Sequence, residues 1–151
     1  MLRDWSISVY RQRQTEYYPC IAKVSGTDTC QHWDFKENYS VGDICPCCNS
    51  EYGFNDFLEK GEILEKYCNG DNSKLNIIAP ELDGLADDEY VADDISWRFI
   101  RLSWIKKGCP FKWAKEEGIE NWTIEDAKKQ LKMIRYDYDT LLPLANKVIS
   151  D

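Results

Sequence analysis

The stretch Asp94-Ile95-Ser96-Trp97-Arg98-Phe99-Ile100-Arg101-Leu102-Ser103-Trp104-Ile105-Lys106-Lys107-Gly108 decides how the C-terminal part of the chain is read. Ile95, Phe99, Leu102 and Ile105 recur at helical spacing and form one apolar stripe. Asp93 or Asp94 supplies an N-cap, and Gly108 fits the left-handed position that closes a helix. Two further helices are expected downstream. Thr123 opens "TIEDAKKQLKMI" with Asp126 three residues on, a capping-box spacing that directs Ile124, Ala127, Leu131 and Ile134 to a core. A last helix is expected over about 141–149, with Pro143 in its first turn, where a missing N–H costs little.

Upstream the pattern changes. "WSISVY" (5–10) alternates apolar and polar residues, and "YYPCIAKV" (17–24) and "CQHWDF" (30–35) follow, separated by the polar turn "SGTDT". These segments predict a small N-terminal antiparallel sheet that ends in a turn carrying "CPCC" (45–48). "NDFLEKGEILEKYCNG" (55–70) reads as a helix with Asn55 as N-cap and Asn69-Gly70 as stop signal, weakened by Gly61, and "KLNIIAP" (74–80) as a short strand. The expected architecture is one α+β domain over 1–151, the sheet packed against about three C-terminal helices.

The chain has 151 residues, a net charge of −8 and a pI near 4.7. Six Trp, nine Tyr and five Phe give it the apolar surface of a globular domain. Its acidity argues against a general nucleic-acid or anionic-membrane binder, which needs a basic face. The N-terminal stretch lacks the apolar run of a signal peptide, and no stretch reaches bilayer-spanning length, so a cytosolic protein with reduced thiols is expected. Seven Cys, an odd number at irregular spacing, fit a disulfide framework poorly.

Three of those thiols fall within "ICPCCNSEYGF". Cys45 and Cys48 have the spacing of a zinc knuckle, stiffened by Pro46, with Cys47 as bystander. The second knuckle is incomplete: the third position after Cys20 is Lys23, whose ammonium cannot ligate. A fourth ligand would have to come from Cys30, His32 or water. "YPCIAK" (18–23), "ICPCCNSEYGFND" (44–56), "WIKKGCPFKW" (104–113) and "ENWTIEDAKKQLKMI" (120–134) together resemble the bacterial cysteine-rich CPCC family of small proteins. The resemblance covers a core of 17–56 and 93–134, interrupted by an insertion over 57–92 and followed by a helix over 137–150. It implies a structural zinc site in which Cys20, Cys45 and Cys48 occupy ligand positions and Lys23 the fourth.

A redox reading of Cys45 and Cys48, the Cys-Pro-x-Cys spacing of glutaredoxins, needs a strand before the motif and a helix after it. Turn-like sequence flanks it on both sides. His32 is the single histidine, and no Gly-rich phosphate loop is present, so no catalytic set emerges. The remaining class is binding. "ELDGLADDEYVADD" (81–94) holds seven acids and no base. Glu81, Asp83, Asp87, Asp88, Glu89, Asp93 and Asp94 would steer a basic protein partner, with Tyr90 as aromatic anchor. The expected function is that of an immunity protein masking a toxin such as a nuclease; a structural zinc module is the alternative, and no nucleic acid or membrane partner is expected.

Overall fold

The computed structural model describes residues 49–51, 54–116, 118–133 and 136–151, with the side chains of 93, 94 and 133 excepted. Within them lie five α-helices and one short 3-10 turn. Helix α1 spans Lys60–Cys68, α2 Asn72–Ile78, α3 Asp93–Lys106, α4 Ile124–Met133 and α5 Tyr138–Val148, and the 3-10 turn is Pro80–Leu82. The α+β expectation is corrected here. No strand or sheet occurs among the described residues, and the one β-type pairing is an isolated antiparallel bridge between Glu59 and Tyr90. The segments 5–10, 17–24 and 30–35 and the CPCC turn lie outside the described residues.

Helix α3 is the axis of the unit. From Ile95 to Ile105 every side chain is buried, including the polar Ser96, Arg98, Arg101 and Ser103. A helix buried on all sides sits at the centre of its fold rather than on one flank. The stripe Ile95, Phe99, Leu102, Ile105 is therefore one face of several. Trp97 and Ile100 fill others, and α5 lies along α3 with Leu141, Ala145 and Val148 fully buried. Each fully buried Leu, Ile or Phe contributes about 1.5–3 kcal/mol by leaving water.

Local chemistry explains the helix boundaries. At α4, Thr123 N donates to Asp126 Oδ2 (2.9 Å) and Asp126 N to Thr123 Oγ1 (3.3 Å), the reciprocal bonds of the expected capping box. At the end of α1, Asn69 (φ 51°) and Gly70 (φ 77°) turn left-handed, and Gly70 N reaches Leu64 O (3.0 Å). Gly108 (φ 90°) ends α3 as anticipated. Other boundaries differ. Helix α1 begins at Lys60, five residues after Asn55. The Asn55 side-chain Oδ1 instead accepts from Glu51 N (2.6 Å) in a preceding turn, while Glu62 Oε2 accepts from Glu59 N (2.8 Å) at the true start.

The segment 74–80, expected as a strand, forms α2 and the start of the 3-10 turn. Asp71 caps α2 by accepting from Ser73 N (2.9 Å). Helix α5 starts at Tyr138, capped by Asp137, so Pro143 falls in its second turn and removes one internal hydrogen bond. The segment 57–92 belongs to the core, since Leu58, Ile63, Leu64, Tyr67, Leu75, Ile78 and Leu82 are all buried. The C-terminal residues close over α1 and α3. Ser150 N donates to Tyr67 O (2.7 Å), and Lys106 bonds Ile149 O and Asp151.

Candidate partner-binding face

The acid-rich run does not form a free loop. Its ends are nailed to the core by Leu82 and Val91, both buried, and Val91 N donates to Leu58 O (2.9 Å). Between them the backbone folds across the start of α1. The first N–H groups of a helix have no partner within it. Here Lys60 N donates to Glu89 O (3.0 Å) and Gly61 N to Asp87 O (2.8 Å). The Lys60 side chain, 9% exposed, runs beneath the loop and its ammonium donates to Leu85 O (2.7 Å).

Gly61 is explained by the same contact. A Cβ at this position would stand 3.1 Å from Asp87 O and 3.3 Å from Asp87 Cβ, so any side chain would push the loop carbonyl back by a few tenths of an ångström. A residue that lowers helix propensity is what joins helix and loop.

This anchoring divides the seven acids. Glu81 turns inward: Arg98, buried in α3, donates to its carboxylate (Nη1–Oε1 2.9 Å, Nη2–Oε2 2.5 Å) and to Ile78 O (3.1 Å). Partial burial pushes the Glu81 carboxyl up, but the hydrogen bond and charge of Arg98 outweigh it and hold the group below its ordinary range. Asp83, Asp87, Asp88 and Glu89 are exposed and have no ion-pair partner among the described residues. Asp93 and Asp94 occupy the first turn of α3 and not its N-cap, which is Ala92.

Beside the four outward carboxylates stands an aromatic pair. The Tyr90 ring stacks on Phe57 with centroids 4.3 Å apart and planes 15° from parallel, and each residue is 55% exposed. Phe54, 68% exposed, lies three residues before Phe57. These are the large exposed hydrophobics of the described residues. Phe57 and Phe54 were missed in the sequence because single exposed aromatics carry no periodic signal. The spacing "FNDF" within a polar turn was the hint.

The expected metal ligands Cys20, Cys30, His32, Cys45 and Cys48 lie outside the described residues, as does Lys23. Among the described residues no group of three or more His, Cys, Asp or Glu is placed to hold a metal ion. Two thiols are described, Cys68 and Cys109, and both are buried. Burial pushes Cys68 up to about 11 and Cys109 up to about 12, so both stay protonated and behave as small hydrophobes. Among the described residues Trp97, Trp104 and Trp122 pack in or against the core with satisfied indoles: Trp97 Nε1 donates to Asp56 Oδ2 (3.0 Å), Trp104 Nε1 to Pro110 O (2.8 Å) and Trp122 Nε1 to Cys109 O (2.7 Å).

No family model, curated protein or solved structure gives a significant match to this chain. Among the described residues no helix is long and apolar enough to cross a membrane.

Proposed function

We propose that this protein is a non-catalytic binding protein that docks a basic protein partner through the face made by the 83–90 loop and the Phe57–Tyr90 pair. The observation that carries this reading is the juxtaposition itself: four exposed carboxylates, without an ion-pair partner among the described residues, on the loop that leads into an exposed aromatic stack. The two parts do different work. Carboxylates steer a positively charged surface and raise the association rate, whereas aromatic rings supply the desolvated anchor that holds the complex. Backbone bonds from Lys60 and Gly61 fix the loop in advance, which lowers the entropy lost on docking.

Within that class the role that fits best is an immunity protein neutralising a bacterial toxin. A nuclease toxin presents a basic substrate groove, and an acidic face is its electrostatic complement. The resemblance to the cysteine-rich CPCC family is compatible with this role and supplies no catalytic set.

The test is co-expression with the product of the gene immediately upstream, scored by cell growth and by binding of the purified pair. The wild-type chain is expected to protect. The variant D87N/D88N/E89Q is expected to associate at least about tenfold more slowly at low salt, with a flattened salt dependence. Tyr90→Ala is expected to speed dissociation instead. If the wild-type chain neither binds nor protects, the reading is wrong.

A further inference from the structure

A second site lies at the other end of α1 from the acidic loop. Between α1, α3 and the segment after Gly108 is a cleft of about 210 Å³. In a chain of net charge −8, the charged residues in its described lining are Lys66, Lys107 and Lys112, with no carboxylate among them. None of the three lysines has an ion-pair partner among the described residues; the Lys66 ammonium lies 5.3 Å from the centre of the Tyr67 ring.

The neutral polar lining has the same bias toward donors. Asn49 and Asn55 also line the cleft; the side-chain carbonyl of Asn49 is engaged by Trp113 Nε1 (2.9 Å) and that of Asn55 by Glu51 N (2.6 Å), so the NH2 groups are what these side chains have left to offer a ligand. Ser103 adds a hydroxyl, and Ile100 and Trp104 an apolar wall.

Three lysines along one cleft, with no carboxylate in its described lining, favour an anion of more than one charge. We propose that this cleft binds a small phosphate monoester. Lys66, Lys107 and Lys112 hold the phosphate, the asparagine amides and Ser103 complete its hydrogen bonds, and the organic group lies against Ile100 and Trp104. Lysine suits this ligand because its ammonium is a compact charge with three donors, and a monoester carries about 1.5–2 negative charges at neutral pH. A monocarboxylate would neutralise one lysine of three. The volume of about 210 Å³ is below the roughly 300–1,000 Å³ of pockets for larger ligands and suits a small monoester.

The full-length protein is titrated with phenyl phosphate, inorganic phosphate and benzoate at low salt, followed by amide and indole NMR shifts and by calorimetry. Phenyl phosphate is expected to bind saturably and to move the Trp104 indole and the Lys66 and Tyr67 amides. Inorganic phosphate should bind more weakly because it leaves the apolar wall unused, and benzoate at least about tenfold more weakly than phenyl phosphate. K66Q/K107Q/K112Q should lose at least about tenfold in phenyl phosphate affinity with unchanged helical circular dichroism. If that triple variant unfolds, the single variants K107Q and K112Q carry the test, each with a loss of about threefold or more. Binding should persist in D87N/D88N/E89Q, which separates this site from the partner-binding face. No saturable shift with phenyl phosphate, benzoate binding as tightly, or a folded lysine variant that binds like wild type overturns the proposal.

Discussion

Replacing Glu81 by Gln separates the acids that hold the fold from those that face outward. Glu81 pairs with Arg98, whose side chain is 6% exposed, while the Glu81 side chain itself is 45% exposed. The substitution keeps the shape and one accepting oxygen but leaves the buried guanidinium short of a counter-charge. A hydrogen bond to a charged group contributes about 1.5–3 kcal/mol, and the exposure of the carboxylate lowers that by solvent screening, so a loss of about 1–2 kcal/mol is expected. For a chain of this size that corresponds to a fall of about 2–8 °C in Tm. Urea denaturation at pH 7 measures it. Asp88→Asn, in the same acidic run but exposed to solvent, should stay within about 0.5 kcal/mol of wild type.

The pH dependence supplies an independent check on the same pair. The folded-state pKa of Glu81 lies below its ordinary value of 4.5, so the stability it contributes is present above 4.5 and is lost as pH falls through the lower, folded value. E81Q should therefore show a shallower loss of stability below pH 4.5 than wild type. An E81Q protein as stable as D88N, with an unchanged acid limb, would refute the assignment of Glu81 to the core.

Gly61→Ala should gain less than about 1 kcal/mol despite its higher helix propensity, because the new methyl presses on the Asp87 carbonyl, whereas Gly61→Val should cost about 1–3 kcal/mol by overpacking. Hydrogen exchange at the Gly61 amide reports the accompanying release of the loop; a neutral valine variant with a protected amide would contradict the close approach. Cys68 and Cys109 should resist alkylation at pH 7 in the native protein and react on unfolding. Because burial raises their pKa above the ordinary 9.0, the stability they contribute is complete below pH 9.0 and is lost as pH rises toward about 11 and 12. Rapid native-state labelling of either thiol would contradict their burial.

The features legible in the sequence are those decided within one or two turns of chain. The Thr123–Asp126 box, the Asn69-Gly70 stop and Gly108 could be read directly, because caps and left-handed closures depend on neighbouring backbone groups. The acidic run and Tyr90 were visible as a charged segment with an aromatic in it. Even local signals were lost where the apolar run was short. "KLNIIAP" suits strand or helix equally by pattern, and Asp71 as N-cap was the clue that settled α2.

Tertiary structure decided the rest, since it depends on residues distant in the chain. Periodicity marks one stripe on α3, but burial on all sides follows only when α5 and the 57–92 segment close around it. Composition places Glu81 and Asp88 in one acidic run; Arg98, 17 residues further on, draws the first inward and leaves the second in solvent. Gly61 reads as a flaw in a helix until the Asp87 carbonyl is brought against it. The sequence by itself determined the α4 capping box, the stops after α1 and α3, and how much negative charge the chain carries. Which charges face water was set by packing, because a buried guanidinium must find its partner wherever the fold places one.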